Sequence, residues 1–459
     1  MKPRRSPFRS DRRPAPRSPR PAPPFPERGL FAAWLERGPT PPPLDRFLSL
    51  RVRPQIQSDP AERKALSGWM FAAVRHAVPA LFSQWLLLDA QRRDKFLTHP
   101  APDMLAAFAG EIGDPADLFS CLRSVDPEVF FAWVAQYSGL AKPPAYVARY
   151  GAEIRAALGK MTHPDAALLL AGVPLWFGRA WTRRVETGGL DAGRFLAALP
   201  VPPPMWIRPR GRSPEEIESL RAELAVDGIA MTAQEGGFAV SGTRSLFETT
   251  AHAAGRFEIQ DLGSQTAGAL VACRPGEMVW DACAGAGGKT LQIAGELRGR
   301  GAVYSSDVRP DKLDLLRKRA RRAGVADNVR VTPFEGRETP ELPLEVAKRG
   351  GFDWVLVDAP CSSSGTWRRN PDARLRNTPT ELPATVALQR RLLSVASGAV
   401  RPGGKLVYVT CSWLVEEDED VANAFDAAHP DFESVSRGLH GGPVLDSDTL
   451  FGAVWKRKV

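Results

Sequence analysis

Between Gly29 and Pro164 apolar residues return every three or four positions: Leu44, Leu48 and Val52; Trp69, Val74, Val78, Leu81 and Trp85; Met104, Phe108 and Ile112. That period marks one face of an α-helix, and prolines between the runs mark the breaks. The spacing predicts a helical domain over residues 29–164. Its His76, His99 and Cys121 stand alone, which points to structural roles. Over residues 165–255 the signals become mixed. A joint of Pro200, Pro202, Pro203 and Pro204 precedes the strand-like run Met205–Arg208. Ser213, Pro214 and Glu216 then read as the cap and first turn of a helix buried through Leu220, Leu224 and Val226. Gly237–Val240 reads as another strand, so a small α/β domain is expected here.

From residue 256 to 459 short apolar runs alternate with helical segments. Met278–Trp280, Ala302–Tyr304, Val329–Val331, Phe352–Val357 and Lys405–Val409 read as strands, with Thr290–Leu297, Pro310–Ala323 and Thr385–Val400 as helices between some of them. Such alternation predicts parallel strands with crossover helices, an α/β doubly wound sheet. Ligands on such sheets bind beyond the carboxyl ends of the strands.

Composition adjusts this picture at the N-terminus. The 459 residues carry 61 Lys+Arg against 52 Asp+Glu, a net charge of +9 that suggests a nucleic-acid partner. Residues 1–28, however, hold nine basic and two acidic groups, so seven of those net charges sit in one segment. The same segment has nine prolines and few apolar side chains, the composition of a disordered tail. Prolines at this density prevent the amphipathic helix of a transit peptide, and no apolar stretch makes a secretory signal. The longest apolar run, Ala166 to Gly178, is broken by Pro174 and falls short of the roughly 18 residues that span a membrane. Five widely spaced cysteines without a C-x-x-C argue against both a disulfide framework and a metal site. A cytoplasmic chain is expected.

Candidate chemistry gathers at three strand ends. The first reads Asp281-Ala-Cys283-Ala284-Gly285-Ala286-Gly287-Gly288-Lys289-Thr290, immediately before a helix whose free N–H groups face any ligand. A phosphate loop needs glycine five residues before Gly288, where Cys283 stands; a dinucleotide loop needs glycine where Thr290 stands. Asp307 closes the next strand 19 residues beyond Gly288, where an acid takes a ribose hydroxyl. A glycine loop with this acid and no phosphate pattern suits S-adenosylmethionine. The other two ends carry thiols: Asp358-Ala-Pro-Cys361 after one strand and Thr410-Cys411-Ser412 after another. Cys121 and Cys273 read as small buried hydrophobes, and Cys283 as packing beneath the glycine loop.

The segments DACAGAGGKT, DAPCSSSGTWRRNPD and YVTCSWLVEEDED together resemble the Nop/Sun family of RNA cytosine-C5 methyltransferases, particularly the bacterial small-subunit ribosomal RNA enzymes. The likeness starts at Phe257-Glu-Ile-Gln-Asp-Leu-Gly-Ser-Gln265 and extends more weakly over Trp206–Gly255. It implies a Rossmann-like S-adenosylmethionine-dependent methyltransferase domain over 256–459, preceded by a helical domain that could bind RNA. It further implies Cys411 as nucleophile, Cys361 as the residue assisting release, Asp358 on the cytosine N3/N4 edge and Lys289 in support. The cofactor would lie against Cys283, Ala284, Gly285, Ala286, Gly287, Gly288, Lys289, Asp307, Glu335 and Asp358.

Two thiols suit this chemistry. Cytosine C5 is too weak a nucleophile for a methyl sulfonium until a thiolate adds at C6, and a base must later take the C5 proton. Some positions depart from the family pattern. Gly285-Ala286-Gly287 replaces Ala-Pro-Gly, Glu335 and Arg210 stand for the usual Asp and Asn, and Asp448–Trp455 only loosely echoes the usual ending. Ribosomal RNA is the expected substrate, with transfer RNA as the alternative and a monomer as the expected state. Arg368, Arg369, Arg374 and Arg376 are the candidate phosphate contacts, whereas Arg317, Lys318, Arg319, Arg321 and Arg322 read as a solvated face. Two rivals compete: a catalytically silent RNA-binding or ribosome-assembly factor on the same fold, and a P-loop nucleotidase, which Cys283 weakens.

Overall fold

The computed structural model describes residues 26–459 apart from 56–59, 212, 243, 335 and 337–340. Residues 1–25 of the expected tail lie outside the described residues, while Pro26, placed in that tail by composition, opens the helix Pro26–Leu35.

Helices continue from there to Ala192–Ala198. The run Trp69 to Trp85 forms two helices, Pro60–Arg75 and Ala77–Leu87, parted at His76 with φ −108°. Pro79 explains the break, since it has no N–H for the Arg75 carbonyl and its ring would crowd that group. Trp34, Phe82, Phe96 and Trp133 fill the core, and Leu168, Phe177, Trp181, Phe195 and Leu199 belong to the same cluster. Residues 165–199, expected in a mixed α/β unit, are therefore part of the helical core. Short helices broken by Pro164, Pro174 and glycines had obscured the period.

Among the described residues eleven strands make two sheets. The smaller contains β1 (Met205–Pro209), β2 (Ile229–Gln234), β3 (Gly237–Gly242) and β4 (Phe257–Ile259), all antiparallel in the order β2-β3-β1-β4. The helix Pro214–Val226 covers it, opened by the expected reciprocal cap: Glu216 N donates to Ser213 Oγ and Ser213 N to Glu216 Oε2. Leu220 and Leu224 are buried, but Val226 at the helix end is exposed, contrary to its expected place on the buried side.

The larger sheet contains β5 (Met278–Asp281), β6 (Ala302–Asp307), β7 (Val329–Pro333), β8 (Phe352–Asp358), β9 (Val400–Thr410), β10 (Phe432–Gly441) and β11 (Thr449–Arg457). Their order is β10-β11-β9-β8-β5-β6-β7. The five strands from β7 to β9 run parallel, as alternation predicted, and the antiparallel pair β10–β11 extends one edge. The winding direction reverses between β5 and β8, which leaves a crevice at their carboxyl ends. Arg319 and Arg322 tie the two sheets together by both gripping Glu258 of β4.

The helical core also takes in Trp367, Leu375, Trp413 and Leu414, which follow β8 and β9 in the chain. At this seam His76 is buried, stacked 6.3 Å from Tyr137 and close to Arg75, Arg155 and Arg374. Burial foremost, and then these three cations, pull its pKa down to about 3. A depressed histidine contributes stability that is fully present above its unfolded pKa near 6.5 and is lost as pH falls toward the folded value. Between pH 7 and pH 5 the wild type should lose about 2 kcal/mol through this group. Urea titrations of His76→Gln should show a correspondingly shallower acid dependence, and an unchanged slope would refute the assignment.

Candidate active site

β8 and β9 pair in parallel with Asp358 opposite Val409, so the segments that leave both strands emerge side by side. Cys361 and Cys411 meet there with sulfurs 3.3 Å apart. Lys289, in the first turn of the helix Gly288–Glu296, is buried and places Nζ 2.7 Å from Asp358 Oδ2. The sequence reading named these four residues, and the fold collects them from three strand ends.

The thiols differ in acidity. Cys411 is held below the usual thiol range, chiefly by the hydrogen bond from Cys361 and also by Ser363 and Lys289, against burial and the Asp358 charge. Cys361 is raised well above that range by the same bond, by burial and by the charges of Cys411 and Glu417. Two sulfurs in contact share at most one negative charge, and these shifts favour Cys411 to carry it. Lys289 is raised despite its burial, because Asp358 lies beside it.

Residues that the motif reading missed fix the two segments. Glu417, fully buried, accepts from Ser362 N at 2.8 Å, from the Ser362 hydroxyl and from Gln389 Nε2 at 3.1 Å. Ser363 adopts φ +56° and sets its hydroxyl 3.5 Å from Cys411 Sγ. Ser364 Oγ lies 2.9 Å from Ser412 Oγ and accepts from Trp413 N at 3.0 Å. Gly365 N donates to the Cys411 carbonyl at 2.9 Å, and a Cβ at Gly365 would lie 1.8 Å from the Thr449 carbonyl oxygen. Only the acid-rich run after Cys411 hinted at this scaffold.

The glycine loop follows β5. Asp281 is buried and accepts from Thr290 Oγ1 at 2.6 Å; burial, with the Asp358 charge, lifts its pKa to about 7. Ala284 N donates to the Ser306 carbonyl, and Gly285 N to Asp307 Oδ2 at 2.9 Å. Asp307 is also gripped by Arg309, Nε to Oδ1 at 2.8 Å and Nη2 to Oδ2 at 3.0 Å. Although burial opposes it, these bonds hold the Asp307 carboxyl below its ordinary range. Gly287 caps the helix at φ +86°, and a side chain there would strike Leu316. Ala286 offers its carbonyl to Arg319 at 2.8 Å, whereas Gly288 faces open space. Cys283 packs against the sheet core, and burial with three nearby carboxylates pushes its thiol far up, so it stays protonated. Glu335 lies outside the described residues.

The expected phosphate contacts need correction. Arg374 is fully buried and donates to the carbonyls of Ala171 and Arg75. Arg368 is buried, bound to Asp446 at 2.6 Å and to the Val201 carbonyl. Arg369 bridges Asp261 at 2.5 Å and Asp448 at 3.2 Å, and Arg376 pairs with Asp372 at 3.0 Å. The segment after Cys361 folds into the seam with the helical region, so these guanidinium groups hold protein to protein.

A doubly wound sheet with a glycine loop after its first strand and an acid at the end of the next is the Rossmann-like frame of S-adenosylmethionine-dependent methyltransferases, one that dinucleotide-binding domains share. Residues 269–449 match the family described as 16S rRNA methyltransferase RsmB/F. A probable ribosomal RNA small subunit methyltransferase B from Bacillus subtilis is 30% identical over 265 residues, 57% of each chain. This chain thus spans little more than half of that relative. The ribosomal RNA small subunit methyltransferase B of Xanthomonas campestris is 28% identical over 397 residues, 84% of each chain. A solved methyltransferase homolog protein from Pyrococcus horikoshii superposes with TM-score 0.51 at 25% identity, covering 63% of this chain and 97% of its own.

Sulfurs this close should couple under mild oxidation. The intact mass should fall by two hydrogens, peptide mapping should join Cys361 to Cys411, and reductant should restore both thiols. Gly365→Ala, whose Cβ would strike the Thr449 carbonyl and displace the segment that carries Cys361, should lower the yield of that link. An equal yield would refute the packing described.

Proposed function

We propose that the protein methylates C5 of cytosine in RNA, ribosomal RNA in the first place, using S-adenosylmethionine and a transient bond between Cys411 and C6. The contact between one acidified and one protonated thiol, beside the Lys289–Asp358 pair, carries this reading. The residues suit the cofactor: Gly288 leaves open space over the helix terminus, and Asp307 stands at the next strand end where an acid takes a ribose hydroxyl. When bound, S-adenosylmethionine supplies an electrophilic methyl group. Gly285–Lys289 and Asp307 would hold it.

Cys411 attacks C6 as its thiolate, which its lowered pKa favours, and the electron pair of the C5–C6 double bond moves toward N3. N3 takes up a proton from solvent, which neutralises the charge gained there and is returned when the product forms; Asp358 accepts from the protonated N3 and from the N4 amino group, while Lys289 fixes Asp358. C5, now enamine-like, can accept the methyl group. Once Cys411 is bonded to carbon, it no longer hydrogen-bonds or repels charge as a thiolate, so the foremost cause of the high Cys361 pKa disappears. Cys361 gives up its own proton to solvent and as thiolate takes the C5 proton; the C5–H electron pair restores the C5–C6 double bond, and the S–C6 pair leaves with Cys411, which is released as thiolate. Because C5 is unreachable within a stacked helix, the target base is unpaired or flipped.

RNA containing 5-fluorocytosine tests these roles, since fluorine blocks the release step. Wild type should form a denaturant-resistant complex, Cys411→Ala none, and Cys361→Ala should accumulate complex even on ordinary cytosine RNA. The reverse pattern would exchange the roles of the thiols, and no complex with any RNA would sink the mechanism. Bisulfite sequencing of ribosomal and transfer RNA from a deletion strain identifies the substrate. A mark missing from transfer RNA alone would reassign it.

A further inference from the structure

The helical region does more than flank the catalytic domain: one of its arginines reaches both sides of Cys411. Arg184, in the helix Gly178–Thr187, is fully buried. Its Nε donates to the Trp413 carbonyl at 2.6 Å, two residues after the thiol. Nη1 and Nη2 form a fork on Glu419, 2.8 and 2.6 Å long, and Nη2 also reaches Asp418 Oδ2 at 3.5 Å. Nη1 further donates to Gly188 O at 3.1 Å, so all five guanidinium donors have acceptors. Asp418, also fully buried, accepts from Thr410 Oγ1 at 2.6 Å, and Thr410 immediately precedes Cys411.

We infer that Arg184 is a positioning residue for Cys411, holding the thiol in register with Cys361 and Lys289 from outside the catalytic domain. The inference rests on the reading of Cys411 as the attacking group. Its physical basis is a closed path: Arg184 fixes the Trp413 carbonyl directly and Thr410 through Asp418, so the backbone on either side of the sulfur is tied to one planar group. Glu419, buried in large part, has its charge compensated by Arg184 at 2.6 Å, and Asp418, whose carboxyl burial and the neighbouring acids push well up, has Arg184 as its nearby cation at 3.5 Å. Without that cation the run 416–420 would have to move toward water, because a buried charge left unpaired is costly. Thr410 and Trp413 would move with it. The groups that set the charge on Cys411 are Cys361, Ser363, Lys289 and Asp358, each dependent on where the sulfur lies. The neighbouring Arg183 makes a useful contrast. It is 40% exposed and pairs with Glu416 and Asp420 at the rim of the seam.

Alkylation of each cysteine by iodoacetamide as a function of pH, read by peptide mass spectrometry on the full chain, tests the inference without RNA or methyl donor. A protein that fails to methylate would therefore defeat the functional reading and leave this measurement valid. Arg184→Met should raise the pH midpoint of Cys411 by about one unit, so that at a fixed pH below it alkylation slows about tenfold. Arg184→Lys should recover part of the shift. Trp176→Phe loosens the same seam elsewhere by removing the Trp176 Nε1 bond to the Asn377 carbonyl, and it should leave the midpoint in place. An unmoved midpoint in Arg184→Met overturns the inference, as does an equal shift in Trp176→Phe. If Arg184→Met does not fold, Thr410→Val, which deletes only the hydroxyl on Asp418, should show the rise, and a wild-type profile there overturns the inference.

Discussion

Two sulfurs in contact can hold one negative charge between them, and much of the architecture decides which one. Burial alone would raise both thiols. The hydrogen bond across the 3.3 Å gap breaks the symmetry, and Ser363 and Lys289 lean it toward Cys411, while Glu417 opposes charge on Cys361. This division lasts only while both sulfurs are free. In the proposed reaction, attachment of Cys411 to carbon would remove the foremost cause of the high Cys361 pKa, so a single contact would serve two opposite steps.

Such a balance requires positional accuracy in segments that are not regular secondary structure. It is met by short crossed ties. Glu417, from the segment after Cys411, holds the one containing Cys361; Gly365 returns a bond to Cys411; and the Thr449 carbonyl closes off the space behind Gly365. The helical region completes the frame. Trp413 lies edge-on to Trp367 and Trp181 at 5.5 and 5.7 Å, within a core that Phe177 and Phe195 share. Aromatic contacts of this kind add stability beyond the area they bury.

How much of this was legible in the chain depended on the range of the interaction. The parallel strands could be read because apolar runs buried on both faces need no distant partner to declare themselves, and the glycine loop because its steric demands are local. Cys361, Cys411, Asp358 and Lys289 could be named from motifs at strand ends. β10 stayed hidden because an edge strand with many exposed polar residues has no apolar run. The four arginines after Cys361 misled for a related reason: adjacent charges suggest a surface, and only the fold shows that Arg374 has no exposure at all. Arg183 and Arg184 are identical neighbours in sequence, and only burial separates a rim ion pair from a fully bonded hub.

Trp367 and Trp413 belong by chain position to the catalytic half and by packing to the helical half. The boundary along the sequence is therefore not a boundary of heredity. A helical region borrowed from a distant relative would have to bring surroundings that fit both indoles and an arginine that reaches residue 418, or the recipient would inherit motifs without a working geometry. If Arg184 positions the thiol, exchange on one side of the seam would have to be matched on the other, by residues that never touch the sulfur.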